Sequence, residues 1–567
     1  MGIPLCTITL LFLWIQIVHR LPVPPLVISE ETTRITGPLT DEGYIDFLQA
    51  AEQRFYPPEL ATDDNGYRLF VRQFGYIQEH TEDEELYRRQ TYEKLALDPE
   101  EPPTLVLPQN PYQILEDFYQ AKGEQTPEHM KEPWEQPWTL EEFPMFADWC
   151  EDIDAPLDAI AEALRKPVFY TPLLQSPESV QSGLPQMLIA TMVVATLDDY
   201  ILFQGISVHF RVRAMYRIAQ GDIDGAIEDK LSIRRLGRHF ASGKLTMNYL
   251  VGMALESSAM DIPVGANRNH PLTAEQIRRI FEGLDALPPR TPMYDVVELE
   301  RYMGLSTLQW LIIGSSATRN QELSDEDFGM MRVLLSIATS RHCDLNFMFR
   351  RVNEMYDALQ EPPKREKLRP ILERLESRYT TERQVWQGLI WGTLIPYGFQ
   401  HALTDAFIAV LAPATLREVE KTEARLAKLE CADNMQRLVW AVLLYRLEHG
   451  TMPDENWATQ IKKYLGENPE QYFSCPGNPS PEGKTTYALV QYSEDVPETL
   501  DTILLVELKE PVPFAQAVIS SDEILTLRID VHDGGVNTVR RSGAVWQLSE
   551  HTDEKELARL LGRAVAE

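Results

Sequence analysis

The chain has 567 residues, 44% hydrophobic and 25% charged, the balance of a folded protein with room for about three or four cores. Its formal net charge of −33 excludes nucleic acid as a partner, because phosphate would be repelled and the basic clusters are as short as Arg234-Arg235 with Arg238. Five cysteines (Cys6, Cys150, Cys343, Cys431, Cys475) lie far apart without a CxxC, so neither a structural zinc site nor another cofactor is expected.

Taken in order, residues 1–28 read as an export signal or membrane anchor. Ile3 to Val18 is apolar, shorter than the about 20 residues of a span, and Pro22, Pro24 and Pro25 follow it. The plainer alternative is a buried apolar helix. Residues 29–111 read as acidic short helices and loops, with one amphipathic turn at Tyr44, Phe47, Leu48 and Ala51. Asp63-Asp64-Asn65 lacks the remaining ligands of a calcium loop. Glu101 to Pro111 is a Pro-rich extended link.

Residues 112–385 read as a helical domain. Its clearest unit runs from Gly205 to Gly243: helix, Gly221 turn, helix, with Ala214, Ala219 and Ala226 where the helices meet. This is tetratricopeptide-like, although no second copy recurs. Met331–Leu359 and Arg365–Arg383 are further helices. Residues 386–567 read as an apolar helix plus an α+β domain. Val385 to Leu411 is expected to be a packed, Pro-kinked helix. Lys421 to Pro453 is the strongest helix, with Leu426, Leu429, Ala432, Met435, Val439, Val442 and Leu443 on one stripe. Gly450 and Pro453 end it. Thr485–Gln491, Thr502–Glu507, Ile524–Asp530 and Ala544–Leu548 read as strands of a small antiparallel sheet, and Glu554–Val565 as a last helix. The expected fold is therefore mainly α, an irregular helical scaffold with a C-terminal α+β domain.

Two resemblances follow from particular stretches. YRLEHGTMPDENWATQIKKYLGENPEQYFSCP, TILLVELKEPVPFAQ and HDGGVNTVRRSGAVWQL resemble type II pseudopilin and related pilin-like domains. There His532 is followed, after nine residues, by Ser542-Gly543, where the family pattern has Asp-Gly. Gly543 retains the turn, whereas Ser542 cannot supply the carboxylate. Pilins carry their helix at the N-terminus behind a peptidase site, and no such site precedes this helix, so the resemblance implies a fused module without pilin processing. DEGYIDFLQA, DDNGYRLFVRQFG, PWTLEEFPMFADWCEDIDAPLDAI, RAMYRIAQGDIDGAIEDKLSIRRLGRHF, LVGMALESSAM and ERYMGL resemble an uncharacterised planctomycete envelope protein family. That resemblance implies class and compartment and carries no activity.

The candidate site residues are weak pairs. His532 and Asp533 on a Gly-rich turn have the chemistry to bind a metal or move a proton, but two such residues in a loop are commonly only a turn. His401 and Asp405 lie four apart on one helix face and read as an internally satisfied core pair. His342, Cys343 and Asp344 point in different directions on a helix, as do Glu298 and Glu300. Trp134, Trp138, Phe143 and Trp149 offer a glycan or peptide groove, or packing under a Pro-rich loop. Cys431 and Cys475 share a domain, which leaves a disulfide or two free thiols open, free thiols being the simpler reading. No nucleophile elbow, HExxH helix, Walker loop or dinucleotide glycine pattern occurs. These features lead to an envelope-associated structural or binding protein, with protein partners in the envelope and a membrane contact through the N-terminal segment. The alternatives are an envelope hydrolase and a secretion-system accessory subunit.

Overall fold

A computed structural model of the chain describes residues 25–77, 84–123, 132–174, 188–243, 245–313, 345–378 and 398–492, with parts of 384–387 and 499–561. The fold is mostly helical, with a small mixed sheet near the C-terminus. The helices are α1 (Phe47–Phe55), α2 (Gly66–Phe74), α3 (Glu84–Lys94), α4 (Pro111–Ala121), α5 (Ala147–Asp152), α6 (Asp154–Leu164), α7 (Leu188–Gln220), α8 (Ile223–Ala241), α9 (Thr246–Met260), α10 (Ala274–Asp285), α11 (Met293–Ile313), α12 (Leu345–Leu359), α13 (Pro362–Arg378), α14 (Gly398–His449) and α15 (Trp457–Ile461). The strands are β1 (Lys484–Gln491), β2 (Ile503–Pro513), β3 (Val518–Ser520), β4 (Gly535–Arg540) and β5 (Val545–Ser549).

The expected hairpin is present as α7 and α8. Gly221 turns between them at φ +82°, and Asp222 caps α8 by accepting from the Gly225 N–H at 3.0 Å. Ala214 and Ala226 are fully buried, whereas Ala219 is half-buried. Asp229 and Arg213 lock the pair from inside: both are buried, with Nη2 to Oδ1 at 2.6 Å. Against α9, α8 crosses at two glycines. A Cβ at Gly237 would lie 2.6 Å from Gly252 O, so only glycine permits the approach.

One hydrophobic core takes residues from Ile35 to Leu444, and so crosses the domain edges expected at 111 and 385. Buried polar residues tie the early segment down. Gln309 bonds the Ile45 N–H at 3.2 Å and its carbonyl at 2.7 Å, and Asn353 donates to Thr32 O. Asn65, which the sequence placed in a failed calcium loop, caps α2 and braces Tyr170. Trp138, Phe143 and Trp149 lie in the core with Trp134 at its margin, which favours packing over a groove.

The strongest expected helix is longer at its start than its stripe indicated. It is continuous with the segment from Gly398, and it ends as expected at Gly450, φ +76°. Residues 388–397 with the proposed kink, and residues 1–24 with the apolar N-terminal stretch, lie outside the described residues. Among the described residues, no helix is long and apolar enough to cross a membrane.

The sheet order is β3-β1-β2-β4-β5. It is mixed rather than antiparallel, because β3 runs parallel to β1. Ile524–Asp530 was expected to be a strand; Glu523–Thr526 forms a 3-10 turn instead, and 527–530 lies outside the described residues. Strand alternation gives the sheet two buried faces. Tyr487, Leu489 and Leu505 face α14, while Ala488, Val490 and Val506 face Ile524, Leu560 and Leu561. The other side of α14 meets the scaffold. Gln436 donates to Gly543 O at 2.6 Å and to Met260 O at 3.3 Å, and Gly265 N–H bonds Ser542 O at 3.1 Å.

Candidate metal centre

Where α14 passes under the sheet, four side chains of ligand type converge: Cys431, Cys475, Glu507 and His532. One ligand atom from each lies within 4.8 Å of the others. Their relative exposures are 0%, 0%, 1% and 9%, so the centre is closed to solvent.

Each arrives from a different segment. Cys431 continues the apolar stripe Met435, Leu438 and Val442 on the sheet-facing side of α14. Cys475 sits in a turn closed by the Asn478 N–H on its carbonyl, and its own N–H donates to Thr486 Oγ1 at 2.9 Å. Glu507 follows Leu505 on the inward face of β2, opposite Tyr487. The period that buries an apolar residue at 505 therefore buries a carboxylate at 507. His532 enters β4 through paired 2.9 Å backbone bonds with Gly535.

Other groups hold the four in place. Tyr487 Oη donates to Cys431 Sγ at 3.4 Å, Asn537 N–H bonds Glu507 Oε2 at 3.3 Å, and Gln547 Nε2 holds the His532 carbonyl at 3.3 Å. Gly477 closes one side: a Cβ there would sit 3.3 Å from both Ala427 Cβ and His532 Cε1.

Within the cluster, His532 Nε2 lies 3.0 Å from Glu507 Oε1 and 3.4 Å from Cys475 Sγ. Burial acts to lower the His532 pKa, but hydrogen bonding to Cys475 and Glu507 and their charge outweigh it and hold it at about 9. The hydrogen bond from Cys431 draws the Cys475 thiol down to about 7 against its burial, while burial keeps the Cys431 thiol well above its ordinary value. The cluster thus concentrates a proton-bearing imidazole, a thiol poised to ionise and a carboxylate where an unbalanced charge would be costly.

Two chemical readings can be separated by geometry. A thiol hydrolase needs its carboxylate on the imidazole nitrogen opposite the nucleophile. Here thiol and carboxylate meet the same nitrogen, and the sulfur has no surface for substrate. A tetrahedral ion with zinc–ligand bonds of about 2.0–2.3 Å needs ligand atoms about 3.3–3.8 Å apart. The 3.4 Å contact falls inside that range and the 3.0 Å contact just below it. Two thiols, an imidazole and a carboxylate suit a thiophilic ion such as zinc and not calcium or magnesium, which take oxygen ligands.

The sequence named His532 and paired it with Asp533, which lies outside the described residues. It left out Glu507 and expected no zinc site because CxxC was absent. Cys431 and Cys475 are free thiols, both buried. His401 is no core group: it is exposed and stacks on Phe347 at 3.9 Å. Asp405 is half-buried one turn on, its pKa raised by burial against the pull of Arg351, Arg378 and His401. Glu298 and Glu300 take different partners, Arg301 and Thr246, as their spacing indicated. His342, Cys343 and Asp344 lie outside the described residues. No family model, curated protein or solved structure matches the chain.

Proposed function

We propose that this chain is a structural or binding protein of the cell envelope whose C-terminal α+β domain is stapled by one zinc ion on Cys431, Cys475, Glu507 and His532. The observation that carries the metal reading is the convergence of four suitable donors, within 4.8 Å of one another, in a closed centre. Four protein donors leave no open position for a substrate or a reactive water, so the role is structural. The ion would join α14, the loop before β1, strand β2 and the turn into β4. It would displace the protons that otherwise balance the cluster, so uptake releases protons and weakens in acid.

The envelope reading is supported by the apolar stretch Ile3–Val18 and by the sequence resemblance. The pilin-like reading is supported by a long helix packed along one face of the sheet that follows it. The tetratricopeptide-like reading is supported by the α7–α8 hairpin and its buried alanines.

The metal reading is tested by thermal unfolding of the full chain with zinc and after exhaustive chelation. A ligand at 100 times its Kd adds about 2.7 kcal/mol, so a clear zinc-dependent rise in midpoint is expected, and it should vanish in Cys475→Ser. An unchanged midpoint would overturn it. Compartment is tested by cell fractionation, where recovery in the cytosol alone would exclude the envelope.

A further inference from the structure

A second concave site lies within the helical scaffold, and nothing about it depends on the metal. It is a cavity of about 360 Å³ between the end of α1, the segment after α6, the end of α8 and the Pro288–Pro289 turn. That volume falls in the range of small-molecule sites. Phe55, Phe169 and Tyr170 supply buried aromatic walls. Arg238 and Arg290 supply the cationic end, and the half-buried Asp295 adds one carboxylate to the wall.

Behind these two arginines lies Arg234, one turn earlier on α8 and fully buried. The three guanidiniums share two carboxylates, the buried Glu256 and the partly exposed Asp433. Glu256 is 2.6 Å from Arg238, 3.0 Å from Arg290 and 3.8 Å from Arg234, and Asp433 is 2.8 Å from Arg234 and 3.5 Å from Arg290. Glu430 reaches Arg290 at 3.5 Å, but its side chain is 34% exposed. Lys230, also buried and one turn before Arg234 on α8, donates to Ile262 O and is attracted by Asp261 and Asp433. Three guanidiniums therefore meet two carboxylates and the partly exposed Glu430, in a chain whose total charge is −33.

The hydrogen-bond count leaves donors over. Arg234 Nε and Nη1 and Arg290 Nε are buried donors without an acceptor. Each such donor costs about 1–3 kcal/mol when left unmet; of these two residues only Arg290 lines the cavity, so its Nε is the donor a bound anion could reach.

We propose that this cavity binds a small aromatic carboxylate, its ring among Phe55, Phe169 and Tyr170 and its carboxylate on Arg290 and Arg238. A planar carboxylate matches the guanidinium fork. Aromatic walls favour a ring in edge or offset contact. A single negative charge also meets less repulsion from Asp295 and Glu256 than a phosphate dianion would.

The test is a fluorescence titration of the full chain with 2-naphthoate, with neutral 2-naphthamide as the control of equal shape. Thr171→Trp fills the cavity from its wall without touching the arginine network, and Arg290→Gln removes the central donor. Saturable naphthoate binding is expected. Naphthamide and Arg290→Gln should each weaken it by about tenfold or more, the scale of one lost charged contact, and Thr171→Trp should abolish it. Where Arg290→Gln fails to fold, the naphthamide and Thr171→Trp arms decide. Absence of saturable binding at millimolar naphthoate, equal affinity for naphthamide, or unchanged binding in Thr171→Trp would each overturn the proposal.

Discussion

Gly543→Ala probes the contact that clamps the β4–β5 turn onto α14. Gly543 turns β4 into β5 at φ +79°, and a Cβ there would lie 1.8 Å from a ring carbon of Trp440. Two costs add. A left-handed backbone costs a non-glycine residue about 1–2 kcal/mol. Carbon atoms rest about 3.5–4.0 Å apart, so turn and ring must separate by about 2 Å. Such overpacking costs about 1–3 kcal/mol, which brings the total to about 2–5 kcal/mol. Gly450→Ala isolates the first cost, because Gly450 has φ +76° with nothing within 4 Å of the added carbon. Urea unfolding of both full-length variants should place Gly543→Ala about 1–3 kcal/mol below Gly450→Ala. Equal losses would show that the turn does not press on Trp440, and the clamp would have to be abandoned.

Two further outcomes concern buried charge in the scaffold. Burial, then Arg234, depresses the Lys230 pKa from 10.5 to about 7. Its folded value lies below its unfolded one, so the unfolded chain holds the extra proton. The penalty is full below about pH 7 and is relieved as pH rises towards 10.5. The shift corresponds to several kcal/mol, about 1.4 per unit. The thermal midpoint of Lys230→Met should therefore lose much of the rise that the wild type shows between neutral and alkaline pH, and parallel curves would contradict this. Asp229→Ala should destabilise by about 3–5 kcal/mol because it leaves the buried Nε and Nη2 of Arg213 unpaired, with only Nη1 still on Asp154 and Asp158, whereas Arg213→Met with Asp229→Leu should recover most of the loss. A double variant no better than Asp229→Ala in calorimetry would refute the pairing.

Much of the architecture could be read from local pattern. The Gly450 stop, the Gly221 hairpin and strands β1, β2 and β5 each carry a short-range signature. The start of α14 did not, because Gly398 to Leu411 reads as part of a separate apolar segment, Val385 to Leu411, until it is seen continuous with the helix and packed on α12 and α13. Strand β4 was missed because Gly-Val-Asn-Thr-Val-Arg lacks a run of apolar residues, and its burial comes from neighbours far away in the chain. The metal cluster was half legible. His532 stood out, but its true neighbours lie 25 residues away at Glu507 and 57 away at Cys475. Metal-ligand spacing helps only when ligands share a loop, and here the sheet does the gathering. One signal was present: Glu507 interrupts the buried run Ile503–Leu508, where an acidic side chain requires a partner. Cys431 gave none, since a cysteine on an apolar stripe reads as core.

Metal content of the full-length protein, purified without added metal or chelator, tests the central claim most directly. About one equivalent of zinc per chain is expected, with cobalt substitution giving thiolate-to-metal charge-transfer absorption. Both should be lost in Cys431→Ser with Cys475→Ser. A folded protein that carries no metal, takes up no cobalt and holds Cys431 and Cys475 as free thiols or as a disulfide would contradict the account.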